Sequence, residues 1–175
     1  MNRMIAAWHL MLLLSTPAWP HSASDAYLTL SLSPGVPGQT TLHGQWDIAL
    51  RDLDFVLKLD DDGDGQITWG EVKRRQQAIE RYAASGLHFV DPAGGSDCTV
   101  KPQRFAIDRH ADGAYAALFF DIICAGAPQA LTLNYSLFFA IDPSHRGIFV
   151  FHSGDATSTA LLSPQNAHIR LPLER

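Results

Sequence analysis

Apolar and polar residues alternate along two early stretches of the chain. Asp25 to Leu32 reads DAYLTLSL, and Gln39 to Ile48 reads QTTLHGQWDI, with Leu42, Gly44, Trp46 and Ile48 on one face. Between them lies SPGVPG, so period-two patterning around a Pro/Gly turn predicts an antiparallel pair of strands. From Ile48 the pattern becomes helical. Leu50, Leu53, Phe55, Val56, Leu57 and Leu59 supply the apolar side of a helix ending near Leu59, and Asp47 is placed to cap its start. A second helical pattern runs from Trp69 to about Ala84, with Val72, Ile79, Tyr82 and Ala83 on a shared face and Ser85-Gly86 as its stop.

The remainder breaks into runs of strand length separated by turn residues: Leu87–Val90, Cys98–Ile107, Ala114–Cys124, Ala130–Ala140, Gly147–His152 and His168–Leu173. Their spacing is that of a sandwich or barrel. The expected fold class is therefore α+β: a mostly antiparallel β-sandwich with a helix–loop–helix inserted at about residues 48–84. The aromatic residues Trp46, Phe55, Phe89, Phe105, Tyr115, Phe119, Tyr135 and Phe138 are assigned to the core.

Between the two helical patterns the chain reads LDDDGDGQITWGEV. Asp60, Asp62 and Asp64 alternate, Gly65 follows, and Glu71 closes a twelve-residue frame, which is the EF-hand calcium-loop pattern. Calcium takes six to eight oxygens, and such a loop turns tightly enough to bring alternate residues to one centre. The ligands would be Asp60, Asp62, Asp64, the Gln66 carbonyl, Thr68 (directly or through water) and a bidentate Glu71. Gly65 permits the sharp turn, and Ile67 can tuck into the core. The simpler alternative is a polar turn in which TWGE forms a capping box between Thr68 and Glu71. Capping accounts for those two residues but leaves Asp60, Asp62 and Asp64 repelling one another. The expected cofactor is Ca2+; magnesium, which demands stricter octahedral geometry and more water, is the weaker fit.

Composition adds limits. The chain has 175 residues, 46% hydrophobic and 18% charged, with net charge −5, so one globular domain is expected and no basic face suggests nucleic acid. The basic cluster Lys73-Arg74-Arg75 lies beside the acidic loop. Arg3, the short apolar run Met4 to Leu14 and the small residues Thr16 and Ala18 predict an export signal at residues 1–18, cleaved after Ala18. Residues 19–175 would then form the mature domain, periplasmic or secreted. The two cysteines, Cys98 and Cys124, fit that compartment as one disulfide.

The stretches SDAYLTL, GQWDIALRDLDFVLKLDDDGDGQITWGEV, CTV, LNYSLFFAIDPSHRG and LSPQN together resemble the extracytoplasmic N-terminal domain of HupE/UreJ-type membrane proteins. The resemblance runs from about His21 to Leu173, and QWDIALRDLD and DPSHRG are its most specific parts. It implies an exported module, with an inner-membrane protein or a second copy of the chain as partner. The membrane part of that family is associated with nickel or cobalt uptake, and its metal motif has no counterpart in this sequence.

Other residues invite chemistry less strongly. His21 could chelate copper only if cleavage exposed its amine. Asp108, His110 and Asp112 alternate in DRHAD and could grip a transition metal, although a solvated polar turn is the simpler reading. His145 and Arg146 either hydrogen-bond within a turn or face a partner protein. His152, Ser153 and Asp155 cannot form a triad on a strand whose successive side chains point oppositely. The expectation is a non-enzymatic calcium-binding domain with a structural or interaction role. The alternative is a periplasmic nickel, cobalt or copper accessory of a HupE/UreJ-like transport system, with histidine ligands.

Overall fold

The computed structural model describes residues 24–34, 38–95 and 98–173; the expected export signal and His21 lie outside them. The elements in chain order are β1 (Asp25–Leu32), β2 (Gln39–Ala49), α1 (Leu50–Leu57), α2 (Trp69–Ser85), β3 (Leu87–Val90), β4 (Cys98–His110), β5 (Gly113–Ala125), β6 (Ala130–Tyr135), β7 (Arg146–Ser153), β8 (Ala156–Leu162) and β9 (His168–Pro172). They form a six-stranded sheet of order β4-β5-β2-β1-β7-β8 and a three-stranded sheet of order β3-β6-β9. The protein is mostly β with two helices, as the periodicities predict. Every pairing of these strands is antiparallel except β1 with β7, which run parallel.

The core is shared by the two sheets and the helical insertion. Leu28, Leu30, Leu42, Ile48 and Ile122 from the large sheet are fully buried, as are Leu131 and Leu133 from the small one and Leu53, Val72 and Ile79 from the helices. At roughly 25 cal/mol per Å² of apolar surface removed from water, this shared core is the main stabilising term. Gly44 holds a particular place in it. Its partner across the ladder is Phe120, and a Cβ at Gly44 would fall within the Phe120 ring. Gly44→Ala should therefore destabilise the fold by about 1 to 3 kcal/mol through overpacking, read as a lower urea midpoint with unchanged slope.

Several boundaries differ from expectation. Asp47 does not cap α1: the cap position is Ala49, without a side-chain hydrogen bond, and Asp47 remains in β2. Phe55 belongs to the apolar count of α1 yet is 69% exposed, because at about 100° per residue it lies on the helix face opposite the buried Leu53. β6 stops at Tyr135, since Phe138 takes a left-handed conformation (φ 59°) and its carbonyl accepts from both Ile141 and Asp142 N–H groups. β8 was not anticipated. Its sequence, ATSTALL, is mostly exposed at the sheet edge, so burial imposes no alternation on it. β4 continues through His110, three residues beyond the predicted end, which moves Asp108 and His110 from a turn onto a strand.

Cys98 and Cys124 form a disulfide and are direct partners in the β4–β5 ladder. Among the described residues, no helix is long and apolar enough to cross a membrane.

Candidate metal centre

The acidic loop is held at both ends by backbone hydrogen bonds to carboxylates. α1 ends at Lys58, a left-handed residue (φ 53°) whose N–H donates to the Asp54 carbonyl. The Asp54 side chain then accepts from the N–H groups of Leu59 (2.6 Å) and Asp60 (3.0 Å). Asp54 thus both finishes the helix and fixes the entry of the loop. At the exit, Thr68 and Glu71 form the expected capping box: Thr68 N–H donates to Glu71 Oε2 at 2.7 Å, and Glu71 N–H reaches Thr68 Oγ1 at 3.4 Å.

Within the loop, Asp60 accepts from Gly63 N–H (2.7 Å) and Gly65 N–H (2.9 Å). Both glycines have positive φ, 73° and 82°, so the chain can wrap around the Asp60 carboxylate without the penalty a side chain would add there. Glu71 reaches back across the loop to accept from Asp61 N–H at 2.9 Å. The wrap brings ligand atoms of Asp60, Asp62 and Glu71 within 4.8 Å of one another. Asp64 stands outside that trio, its Oδ1 accepting from Gln66 N–H at 2.7 Å. The Thr68 hydroxyl is engaged with Glu71 Oε2 at 2.7 Å. Each Asp60 oxygen and Glu71 Oε1 accept one N–H and keep a second acceptor position that can face an ion, whereas Glu71 Oε2 accepts from both the Thr68 N–H and the Thr68 hydroxyl.

The charges are sorted rather than simply crowded. Arg74 and Arg75 both bind Asp61, at 3.1 and 2.8 Å, and their hydrogen bonds hold its carboxyl below the usual range. Asp61 occupies the second loop position, which is not a ligand position, so the cations from α2 neutralise the one loop aspartate that calcium would not need. Glu71 is also held low, by hydrogen bonds from the Thr68 N–H, the Thr68 hydroxyl and the Asp61 N–H, and is therefore ionised at neutral pH. Its side chain is buried, as is Leu59, while Ile67 packs against the β core. The all-oxygen donor set, the two wrapping glycines and the deprotonated Glu71 fit a hard divalent cation such as calcium.

No family model matches the sequence. Among curated proteins, none matches it significantly either.

The remaining site expectations fall out as follows. The His145 N–H bonds within its turn, to the Asp142 carbonyl at 3.1 Å, while its side chain is turned away from solvent. It is fully buried, with Nδ1 2.8 Å from Ser24 Oγ and Nε2 2.8 Å from Tyr135 OH. Ser24 Oγ donates its single proton to Asp52 at 2.9 Å, so it accepts from His145 Nδ1–H, and Tyr135 donates to Nε2. Tyr135, His145, Ser24 and Asp52 thereby form a directional chain joining the residue just before β1 to α1. Sequence offers no signal for it, because its members lie as many as 121 residues apart. Arg146 does bond locally, to the carbonyls of Pro143 and His145. His152 pairs with Thr157 across the β7–β8 hairpin.

Burial pushes the His145 pKa down to about 4 from 6.5, against a smaller opposing pull from Asp142. The unfolded chain therefore binds more protons between these values, and stability must fall as pH drops through that window. The loss from this residue should approach about 3 kcal/mol near pH 4. Urea unfolding across the window should show a steeper decline for the native protein than for His145→Gln, whose side chain does not titrate.

Proposed function

We propose that this chain is an exported calcium-binding domain in which the ion ties the helix–loop–helix to a β scaffold for a structural or protein-interaction role. The observation that carries this reading is the convergence of Asp60, Asp62 and Glu71 on one point. A capping box explains Glu71 meeting Thr68, but it gives no reason for two further carboxylates to approach the same place. Mutual repulsion opposes that approach unless a cation offsets it.

The disulfide is consistent with an oxidising compartment, and the N-terminal pattern of Arg3 and the Met4 to Leu14 run supplies the export signal in this reading. The resemblance to the extracytoplasmic domain of HupE/UreJ-type proteins makes an inner-membrane protein or a second copy the natural partner. Calcium loops outside the cytosol commonly bind at 10⁻⁴ to 10⁻³ M. At that affinity the ion braces structure rather than reports a signal.

Calorimetric titration of the oxidised, chelator-treated protein tests this. One calcium per chain, with magnesium much weaker, is the expected result. An absence of saturable calcium binding would sink the proposal and leave the loop as a capped acidic turn.

A further inference from the structure

A second group of ligating side chains stands on the six-stranded sheet, away from the loop. Asp47 of β2 pairs in register with Ala117 of β5, and Ala117 pairs with Ala106 of β4. Paired residues share a face, and so do residues two apart along a strand, which places Asp108 and His110 on the face of Asp47. On that face β5 contributes Ala117, in register with Asp47, and Tyr115, in register with Asp108, and Asp47 meets His110 at 3.2 Å beside them. Ligand atoms of Asp47, Asp108 and His110 lie within 4.8 Å of one another. Asp112, the third residue of the DRHAD pattern, is drawn off instead to Arg51 (3.2 Å) and the Tyr115 hydroxyl (2.9 Å).

We propose that Asp47, Asp108 and His110 form a second cation site, suited to a borderline divalent transition ion of the zinc type rather than to calcium.

Two features beyond the grouping itself favour a ligand. The first is a charge mismatch. Asp47 is only 6% exposed, and its ion-pair partner among the described residues is His110 at 3.2 Å, which carries charge only when protonated. Its other donor is the neutral Gln45 amide, so hydrogen bonds satisfy the carboxylate but no permanent cation balances its charge, and a bound dication would do so. The second is the way the ligands are held. The His110 ring lies between Tyr27 and Tyr115, with centroids at 4.7 and 4.2 Å, and the Gln45 amide donates to both Asp47 oxygens at 3.0 and 3.2 Å. Outer partners of this kind orient ligands and keep them basic in metal sites.

Access is open on one side. Asp108 and His110 border a shallow depression of about 680 Å³, to which Asp25 and Asp112 add negative charge and Arg109 positive charge. Asp108 is exposed, so rotation of its side chain can bring it onto an ion shared with the two more buried groups. One imidazole nitrogen with two carboxylates suits zinc and leaves coordination positions for water, whereas calcium prefers oxygen throughout. The site does not depend on the calcium reading of the loop.

The test is a zinc titration of the untagged, oxidised chain in saturating calcium, so that the loop cannot account for any heat. One zinc per chain is expected. Asp108→Asn, at an exposed position that should not disturb folding, and His110→Ala should each weaken binding by about tenfold or more, while His152→Ala leaves it unchanged. Near-UV circular dichroism would verify that each variant keeps its packing. An absence of saturable zinc binding, or zinc binding that survives Asp108→Asn at full strength, would overturn the proposal.

Discussion

Glu71→Gln is expected to lower calcium affinity by about 100-fold while leaving the fold intact. Glu71 closes the loop, its side chain is buried, and three hydrogen bonds hold it ionised. Changing even an outer partner of a metal ligand costs about 10- to 100-fold in affinity, so removing the charge of the closing carboxylate should cost at least as much. Gln retains an oxygen able to accept from Thr68 N–H, so the capping box survives and the charge is the main thing lost. Calorimetry on the variant, with circular dichroism as a check on helix content, reads both halves. Native-like calcium affinity in a folded Glu71→Gln protein would show that the ion, if bound, sits elsewhere.

The second large effect is reduction of the Cys98–Cys124 bridge. The two residues are 26 apart in sequence, and the chain-entropy relation for a loop of that size gives about 3 to 4 kcal/mol. Thiol treatment should therefore lower the urea midpoint markedly at unchanged pH. Cys124 is fully buried, so the bond should resist reduction until the β4–β5 ladder opens. Rapid reduction of the native protein with no loss of stability would contradict this account. A domain with such dependence is suited to an oxidising compartment, where the bond persists.

The acidic loop was legible in the sequence because its information is local. Ligand spacing, turning glycines and flanking helices all lie within one short stretch, and the structure gathers Asp60, Asp62 and Glu71 from it. Asp54 was not singled out, although it secures the loop entry, since an aspartate late in a helix looks like any solvated residue until its oxygen is seen beneath Leu59 and Asp60 N–H. Asp47 was misread for a similar reason. An aspartate ahead of an apolar run is a common cap, but here the strand carries on for two more residues and turns that carboxylate toward His110.

By itself the sequence determined what repeats at short range: period-two strands, period-three-to-four helices, the turn residues between them and the twelve-residue acidic frame. These follow from which side chains a single element must turn toward the core, and that is written in adjacent positions. Only the tertiary structure decided what depends on strand order. It set β5 between β2 and β4, so that Asp47 meets Asp108 and His110 across the β5 positions held by Ala117 and Tyr115. It ran β7 parallel to β1, bringing His145 against Ser24, with Tyr135 on its other nitrogen. It also left β8 mostly exposed at the sheet edge, so that burial imposed no alternation on that strand. Contacts between distant segments depend on how the sheets pack, and packing is a property of the whole chain that no local spacing records.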